Sequence, residues 1–462
     1  MRRGLTLLPL GLAALAGSAC RSAPARPDVV LVVLDTVRRD RVQPCGYERP
    51  TTPTLVELSR QGTTWCGMVT PGTWTLPVHA SIFTGRLPFE HGADFAAPES
   101  GVSYMALKVD RMRGDLETLA ERFAREGYRT ALASANPALD PALGLARGFE
   151  LVRVNRDIDA AGRPGIVRQL LEPVTGAPDR RRPLFLVLNL SAAHSPYEGV
   201  PAGAGWLEPT PTVSLYGATG GDRRNCLFGR FVRGEMPSAE RERALGWIRT
   251  AYDWGVRLAD EQLGEALRLL GADGRLGDDD VLVVTSDHGE MLGEEGLLDH
   301  GRTVAAANLD VFAVVRARGF APGGRDESLV QSQDLFPTLL AAAGLPFPAL
   351  PDAWPLRSRQ DSRKAFTFNW PDANWIELTD GRAGGDAIVA VQRGGRRAVF
   401  RDPGGRLATE ERVADGWRAG AADPGLAELA RRVGPVLHRR KGEAVVGDAE
   451  LRESLRALGY VQ

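Results

Sequence analysis

The sequence predicts an α/β fold: a mixed, mostly parallel sheet flanked by helices, followed by a smaller C-terminal α+β part. Two observations carry this. Short apolar runs at 29–34, 184–188 and 281–284 each lead into polar residues, and runs this short and apolar suit strands buried on both faces. Segments with helix caps and helical apolar stripes alternate with these runs. In open α/β sheets ligands sit beyond the carboxyl ends of the strands, so Asp35, His194, Asp287 and His288 are expected to meet at one edge.

The elements follow in chain order. Arg2 and Arg3, an apolar run at 5–16 and the small Gly17-Ser18-Ala19 before Cys20 read as an export signal over 1–20, too short to span a bilayer comfortably. The Gly-Ser-Ala-Cys ending resembles a bacterial lipoprotein site with a lipidated cysteine; plain secretion with cleavage near Ala19 or Ala25 is the other reading. Thr52 and Pro53 open a helix over 54–61 that Gly62 closes. Asp115 can cap a helix with Leu116, Leu119, Ala120 and Phe123 on one stripe. The 203–234 stretch, rich in Gly, Pro and Arg, is expected as a loop insertion over the site. A long helix covers about 239–270, weakened by Gly246, Gly255 and Gly264. Another covers 334–343. Beyond Pro348 the pattern changes. Strand-like runs over 387–401 are broken by Gly394-Gly395, and 427–438 and 449–458 look helical. The expected division is 28–349 and 350–462.

Composition bounds the class. The chain has 462 residues, 43% apolar and 25% charged, with a net charge of -1. That describes an ordinary globular protein too long for one small core, with no reason to expect a nucleic-acid partner. Lysine occurs only at 108, 364 and 441, which reads as genomic base bias. Export implies an oxidising compartment. Besides Cys20 there are Cys45, Cys66 and Cys226; three cannot all pair internally, and a 45–66 bridge is one option.

Five of the six histidines (His79, His91, His194, His288 and His300, with His438 the sixth) stand beside Asp, Thr or Gly in short motifs. Such mixed Asp/His sets suit a metal site. In Thr75-Leu76-Pro77-Val78-His79, Pro77 fits a first helical turn and Thr75 its N-cap. A hydroxyl there would lie at the positive end of a helix, with His79 one turn along the same face. The plainer alternative is a capped helix with a surface histidine. Asp287 and His288 at a strand end can ligate one metal together, and Gly289 lets the chain turn away; the plainer alternative is a solvated turn.

These motifs resemble bacterial sulfatases of the alkaline-phosphatase superfamily. The resemblance rests on Leu34-Asp35-Thr36 through Asp40, Thr51-Thr52-Pro53, Thr84-Gly85 with His91-Gly92, and Thr118-Leu119-Ala120 with Gly127-Tyr128-Arg129-Thr130. It also rests on Arg147-Gly148-Phe149, His194-Ser195-Pro196-Tyr197, Ser286-Asp287-His288-Gly289-Glu290 through His300-Gly301, Asp334-Leu335-Phe336-Pro337, and the terminal Leu455 to Tyr460. It implies an alkaline-phosphatase-like fold. It implies that Asp35, Thr75, Asp287 and His288 hold a metal, that Thr75 is the nucleophile, and that His79, His194 and His300 bind the ester oxygens or serve the leaving group. Asp40, set back from the strand end, is expected to be structural.

Two departures from the family pattern matter. Formylglycine sulfatases carry Cys or Ser in a Cys/Ser-x-Pro-x-Arg motif; here Thr75 and His79 stand at its ends, and threonine cannot yield that aldehyde. Direct attack by the Thr75 oxygen remains. Thr36 replaces a frequent aspartate and His288 a frequent asparagine, which tilts the metal toward zinc or manganese, with calcium or magnesium still open. No histidine has Asp four residues before it, so one divalent ion is expected. The leading expectation is a hydrolase of sulfate or phosphate esters on a small molecule, glycan or lipid. It would be exported to the periplasm or lipid-anchored to the envelope, touching membrane only through Cys20. The alternatives are a phosphotransferase acting on an envelope lipid or glycan, and a non-catalytic binding protein.

Overall fold

The computed structural model describes residues 26–434 and 443–445, except 96–108, 158–160, 177–180, 218–222, 359–362, 372–375, 377–378, 383–384, 403, 415 and 422. The export segment with Cys20, His438 and the expected helix at 449–458 lie outside the described residues. So does the 455–460 motif.

The main sheet runs in the order Gly324–Asp326, Thr63–Val69, Asp310–Arg316, Val281–Thr285, Val29–Leu34, Leu184–Leu190, Arg129–Ser134, Leu151–Val154. Five neighbouring strands, from Val281–Thr285 to Leu151–Val154, are parallel. Asp310–Arg316 is antiparallel to both of its neighbours. The sheet is therefore mixed and mostly parallel, as expected. Val29–Leu34 sits centrally with all six side chains fully buried. Each such aliphatic contributes about 2 kcal/mol on burial, and with both faces covered the strand has no solvent side to slip toward. The carboxyl ends of four adjacent strands thus lie side by side, just before Asp35, Asn136, Ser191 and Asp287.

The long helix is Ser238–Ala272, about 52 Å at 1.5 Å per residue. It carries two buried aspartates that organise the loop after the central strand. Asp253 accepts from Arg41, Tyr47 and Arg49. Asp260 accepts the backbone N–H groups of Thr54 and Leu55, at 2.8 and 2.9 Å, and so caps helix Pro53–Gln61. Thr52 does not cap it, because its hydroxyl already accepts from the Gln43 N–H. Gly255 is also placed for a reason. A Cβ there would stand 2.8 Å from the carbonyl oxygen of Ala192, in the segment that delivers His194. Gly255→Ala is expected to lower stability by about 2 kcal/mol through this backbone clash, read as a shift of the denaturant midpoint. An unshifted midpoint would show that the helix does not press on that segment.

Other elements move by a few residues. The Asp115 helix is in fact Leu119–Arg125, because Thr118 accepts from the Glu121 N–H and Glu121 answers with a capping box. The expected 334–343 helix divides into a 3₁₀ turn, Ser332–Asp334, and helix Leu335–Ala342. Part of the 203–234 stretch is not loop but helix Leu227–Arg233. Cys45 and Cys66 form a disulfide across 21 residues, and Cys226 is buried. Asp40 pairs through both oxygens with Arg38.

The C-terminal part is a five-stranded antiparallel sheet, Ala365–Asn369, Ala387–Arg393, Arg396–Asp402, Arg406–Val413 and Gly416–Ala419. Helix Pro424–Val433 packs across it through Leu426 and Ala430. Gly394-Gly395 turns the hairpin between its second and third strands. Its first strand holds the segment that leads into Thr75. The Phe368 N–H donates to Pro71 O at 2.9 Å, the Thr367 hydroxyl to Thr70 O at 2.8 Å, and the Thr73 hydroxyl to Asn369 Oδ1 at 2.8 Å. Among the described residues, no helix is long and apolar enough to cross a membrane.

Candidate active site

Thr75 is the first residue of helix Thr75–Thr84, and Trp74 holds the N-cap position that the sequence assigned to Thr75. All ten helix residues are buried. The Thr75 hydroxyl lies 3.3 Å from His288 Nε2 and accepts from Asn136 Nδ2 at 3.3 Å. The three remote segments therefore do converge.

The two carboxylates are built alike. Asp35 Oδ2 accepts from Asn136 Nδ2 (2.6 Å), the Ser191 hydroxyl (3.2 Å) and Asn189 Nδ2 (3.3 Å). Asp287 Oδ1 accepts the backbone N–H of His288 (2.8 Å) and of Thr36 (3.1 Å). Each then turns its other oxygen, buried and without a hydrogen-bond partner, toward His288 Nε2: Asp35 Oδ1 at 3.9 Å and Asp287 Oδ2 at 3.4 Å. The His288 Nδ1–H donates to Gly289 O at 3.0 Å, which leaves the Nε2 lone pair facing the carboxylates. The ligand atoms of Asp35, Asp287 and His288 lie within 4.8 Å of one another. Two orphaned anionic oxygens and an imidazole lone pair in one dry place fit a divalent cation.

Electrostatics agree. Burial alone would raise the Asp35 pKa, but the His194 and His288 rings and the Asn136 amide outweigh it and hold it down. Asp287 is pushed well above the usual carboxylate range, by burial and then by the charge of Asp35. Without a cation the pair thus keeps one proton. Burial, helped by neighbouring His300, lowers His288 well below its ordinary value, so the ring is neutral and able to ligate.

Thr36 does not reach the site with its side chain. It adopts a left-handed backbone (φ 60°), and its hydroxyl donates to Asp35 O at 2.6 Å. A β-branched residue in that conformation is strained. The Tyr252 hydroxyl, donating to Thr36 O at 2.6 Å, helps hold it there. The strained turn aims the Thr36 N–H at Asp287.

The remaining histidines divide. His79 donates from Nδ1 to Thr75 O at 3.0 Å and keeps a buried, unpartnered Nε2; burial lowers its pKa. His194 bonds Ser195 O at 2.6 Å, and its ring meets His300 edge-on at 5.1 Å. The His300 ring lies 4.3 Å from that of His288. Its Nδ1 is 3.2 Å from Glu290 Oε1 and 3.4 Å from Asp299 Oδ1. Burial would lower its pKa, but Asp299 and Glu290 push it up to about 9. His91 is not part of the site. It bonds Ser81 and the Ala93 N–H inside the core, and burial drops its pKa to about 3.

Asn136, Ser191, Glu290, Asp299 and Tyr216 are site or near-site residues that the sequence reading passed over. A signal existed for Asn136. Its strand Arg129–Ser134 leads into polar residues, Ser134 and then Asn136, as the other three lead into theirs. Nothing in the sequence flags Tyr216, whose hydroxyl reaches Asp299 Oδ2 at 2.6 Å from the 203–234 stretch.

Known proteins resemble this chain in sequence and in fold. Iduronate 2-sulfatase of Mus musculus is 33% identical over 130 residues, 22% of this chain and 22% of its own length, so the match spans about a fifth of that relative. The phosphonate monoester hydrolase SpPMH from Silicibacter pomeroyi superposes with a TM-score of 0.63 at 19% identity, over 91% of this chain and 99% of its own. A structure solved with its substrate D-glucosamine-2-N,6-O-disulfate gives 0.62 at 16% identity, over 94% and 98%. An alkaline phosphatase superfamily protein from Vibrio parahaemolyticus gives 0.56 at 15%, over 95% and 89%. At these identities the structural likeness is one of fold. The Sulfatase family itself matches residues 27–345, a span that holds the whole main sheet and every residue meeting at Thr75, and the chain therefore belongs to the sulfatase family.

Proposed function

We propose that the protein is a metal-dependent hydrolase of sulfate or phosphate esters in which Thr75 is the nucleophile. The observation that carries this is the Thr75 hydroxyl 3.3 Å from His288 Nε2, where the two unpartnered carboxylate oxygens of Asp35 and Asp287 converge. A single divalent cation (zinc, manganese, calcium or magnesium) held by Asp35, Thr75, Asp287 and His288 would lower the pKa of the hydroxyl and offset the charge of the ester.

The chain's own groups account for the protons. Thr75 Oγ1 attacks phosphorus or sulfur, and His79 Nε2 takes its proton. The resulting imidazolium hydrogen-bonds an ester oxygen, alongside the positive end of helix Thr75–Thr84 and His194. The bond to the leaving oxygen breaks, and His300 Nε2 gives that oxygen a proton. Water then releases the Thr75 ester and restores both histidines. An acceptor alcohol in place of water would make the same intermediate a transferase step, on an envelope lipid or glycan. Residues 28–349 would form the catalytic part and 350–462 its buttress. The Cys45–Cys66 disulfide suits an oxidising compartment, which supports export to the periplasm or envelope; the Gly-Ser-Ala-Cys sequence is what supports Cys20 as anchor.

A panel of aryl sulfates, phosphate monoesters, diesters and phosphonates across several metals tests the reading; no turnover of any with any metal would defeat it. The role of His300 predicts a pH limb. A general acid is active only while protonated, so turnover should fall on the alkaline side as His300, whose carboxylate neighbours push its pKa up to about 9, loses its proton. His300→Gln should remove that limb from the pH–rate profile and slow esters with poor leaving groups by about 10²–10⁴-fold.

A further inference from the structure

The acid nitrogen of His300 needs its ring held, and a group of buried side chains stands behind it. His300 Nδ1 faces Glu290 Oε1 at 3.2 Å and Asp299 Oδ1 at 3.4 Å. Asp299 Oδ2 in turn accepts the Tyr216 hydroxyl at 2.6 Å and a guanidinium N–H of Arg302. Arg302 also donates to His300 O and lies over the ring of Phe228, 5.9 Å from its centroid. Tyr216 and Phe228 pack on each other at 5.7 Å. Every charged member of the set is buried. Asp299 adopts a left-handed backbone (φ 66°) to bring its carboxylate under the ring, a conformation disfavoured for a residue with a Cβ.

We propose that Asp299, braced by Tyr216 from the 203–234 insertion, is a positioning residue that holds His300 so that Nε2 meets the leaving oxygen. This rests on the reading of His300 as the general acid. The arrangement is that of an imidazole oriented from its far nitrogen: Glu290 Oε1 takes the Nδ1 hydrogen bond, and Asp299 Oδ1, buried and without a hydrogen-bond partner, stands beside it at 3.4 Å as a fixed charge. Tyr216 keeps its proton, because burial and then Asp299 raise its pKa far above the ordinary value; it is a donor throughout, and it fixes which Asp299 oxygen is left for His300. The 203–234 stretch thereby reaches the residues behind the acid. Its tyrosine and phenylalanine set the geometry of the acid from behind.

Glu290, Asp299 and His300 also lie close enough to ligate a cation. Charge argues against one. Asp299 Oδ2 is already held by the Arg302 guanidinium, whose charge a dication at this place would have to face.

The test compares Asp299→Asn, Tyr216→Phe, His300→Gln and the double variant Asp299→Asn/His300→Gln, each metal-loaded, on two substrates of the turned-over ester class. One has an alkyl alcohol as leaving group and the other a p-nitrophenol. Asparagine tolerates the left-handed backbone, so Asp299→Asn keeps the turn. The expected result is a fall in kcat/KM of about 10²-fold on the alkyl ester, at least tenfold more than on the nitrophenyl ester, which needs little acid help. Tyr216→Phe should show the same pattern at about tenfold. The double variant should be no slower than His300→Gln alone, because residues acting as a unit are not additive. A merely structural role predicts equal losses on both substrates and losses that multiply in the double variant, and either result overturns the proposal. So does a second bound metal equivalent in the wild type that Asp299→Asn removes. If His300→Gln itself spares the alkyl ester, it is the reading of His300 as acid that fails, a different outcome from the one that removes Asp299.

Discussion

Thr75→Ala is expected to abolish turnover, with a fall of about 10⁴-fold or more in kcat, while the fold and much of the metal affinity remain. The size follows from removing the attacking atom: enzymes stripped of a hydroxyl nucleophile retain only the acceleration due to binding and charge stabilisation. Metal should remain because Asp35, Asp287 and His288 do not depend on the threonine for their orientation. They are held by Asn136, Ser191, backbone N–H groups and Gly289 O. Thr75→Ser keeps the oxygen at the same helix position and should keep measurable activity. Single-turnover kinetics and metal analysis on the three proteins check this. An alanine variant with undiminished turnover would remove Thr75 from the chemistry.

Asp35→Asn should have the next largest effect, with metal affinity reduced by about 10²-fold or more and turnover falling with it. The substitution removes a charge. The amide oxygen can keep the bonds that Asn136, Asn189 and Ser191 now donate to Oδ2, so its N–H₂ falls where the unpartnered Oδ1 now faces His288 and leaves a donor unpaired in a dry place. The pH dependence gives a sharper check. In the wild type Asp287 holds a proton well above the usual carboxylate range, chiefly through burial and then through the charge of Asp35. Metal binding must expel that proton, so affinity should rise with pH until Asp287 is ionised. The metal-free protein should do the reverse. A carboxyl whose pKa is higher folded than unfolded binds more protons in the native state, so stability declines as pH rises from the unfolded value of about 4 through the folded one. Chelator-treated protein should therefore melt lower as pH increases across that window, and added metal should recover the loss. In Asp35→Asn the repulsion is gone and both slopes should flatten. Calorimetric titrations and melting curves at several pH values measure this; a wild-type affinity that does not change with pH would contradict it.

Much of this was legible in the chain itself. Apolar runs ending in polar residues located three of the four strand ends that build the site, because strands buried on both faces have no other way to be written. The fourth, ending near Asn136, was missed because 131–133 is Ala-Leu-Ala, small enough to read as helix or loop. Local signals placed one helix start correctly but not the group that caps it, and set another start one residue off. At Thr52 the cap is supplied by Asp260, some two hundred residues away. At Thr75 the backbone enters one residue early, which makes Trp74 the boundary residue. His91 shows the limit of counting histidines. It stands in a motif-like setting, but its partners are a serine and its own loop. Gly255 read as a defect in a helix and is a clearance for a neighbouring carbonyl. Partners distant in sequence, such as Tyr216 and Asp299, leave no periodic trace at all.

The strand Ala365–Asn369 deserves to be followed to its consequence for how this chain can be cut. Its hydrogen bonds to Pro71, Thr70 and Thr73 are the rivets on which the approach to Thr75 hangs. A fragment ending before it would retain the whole main sheet and the carboxylates, yet it would present the attacking oxygen on a slack tether. Exchanging C-terminal parts between relatives should succeed only where the incoming strand repeats that stitching, so the C-terminal sheet is no freely replaceable appendage.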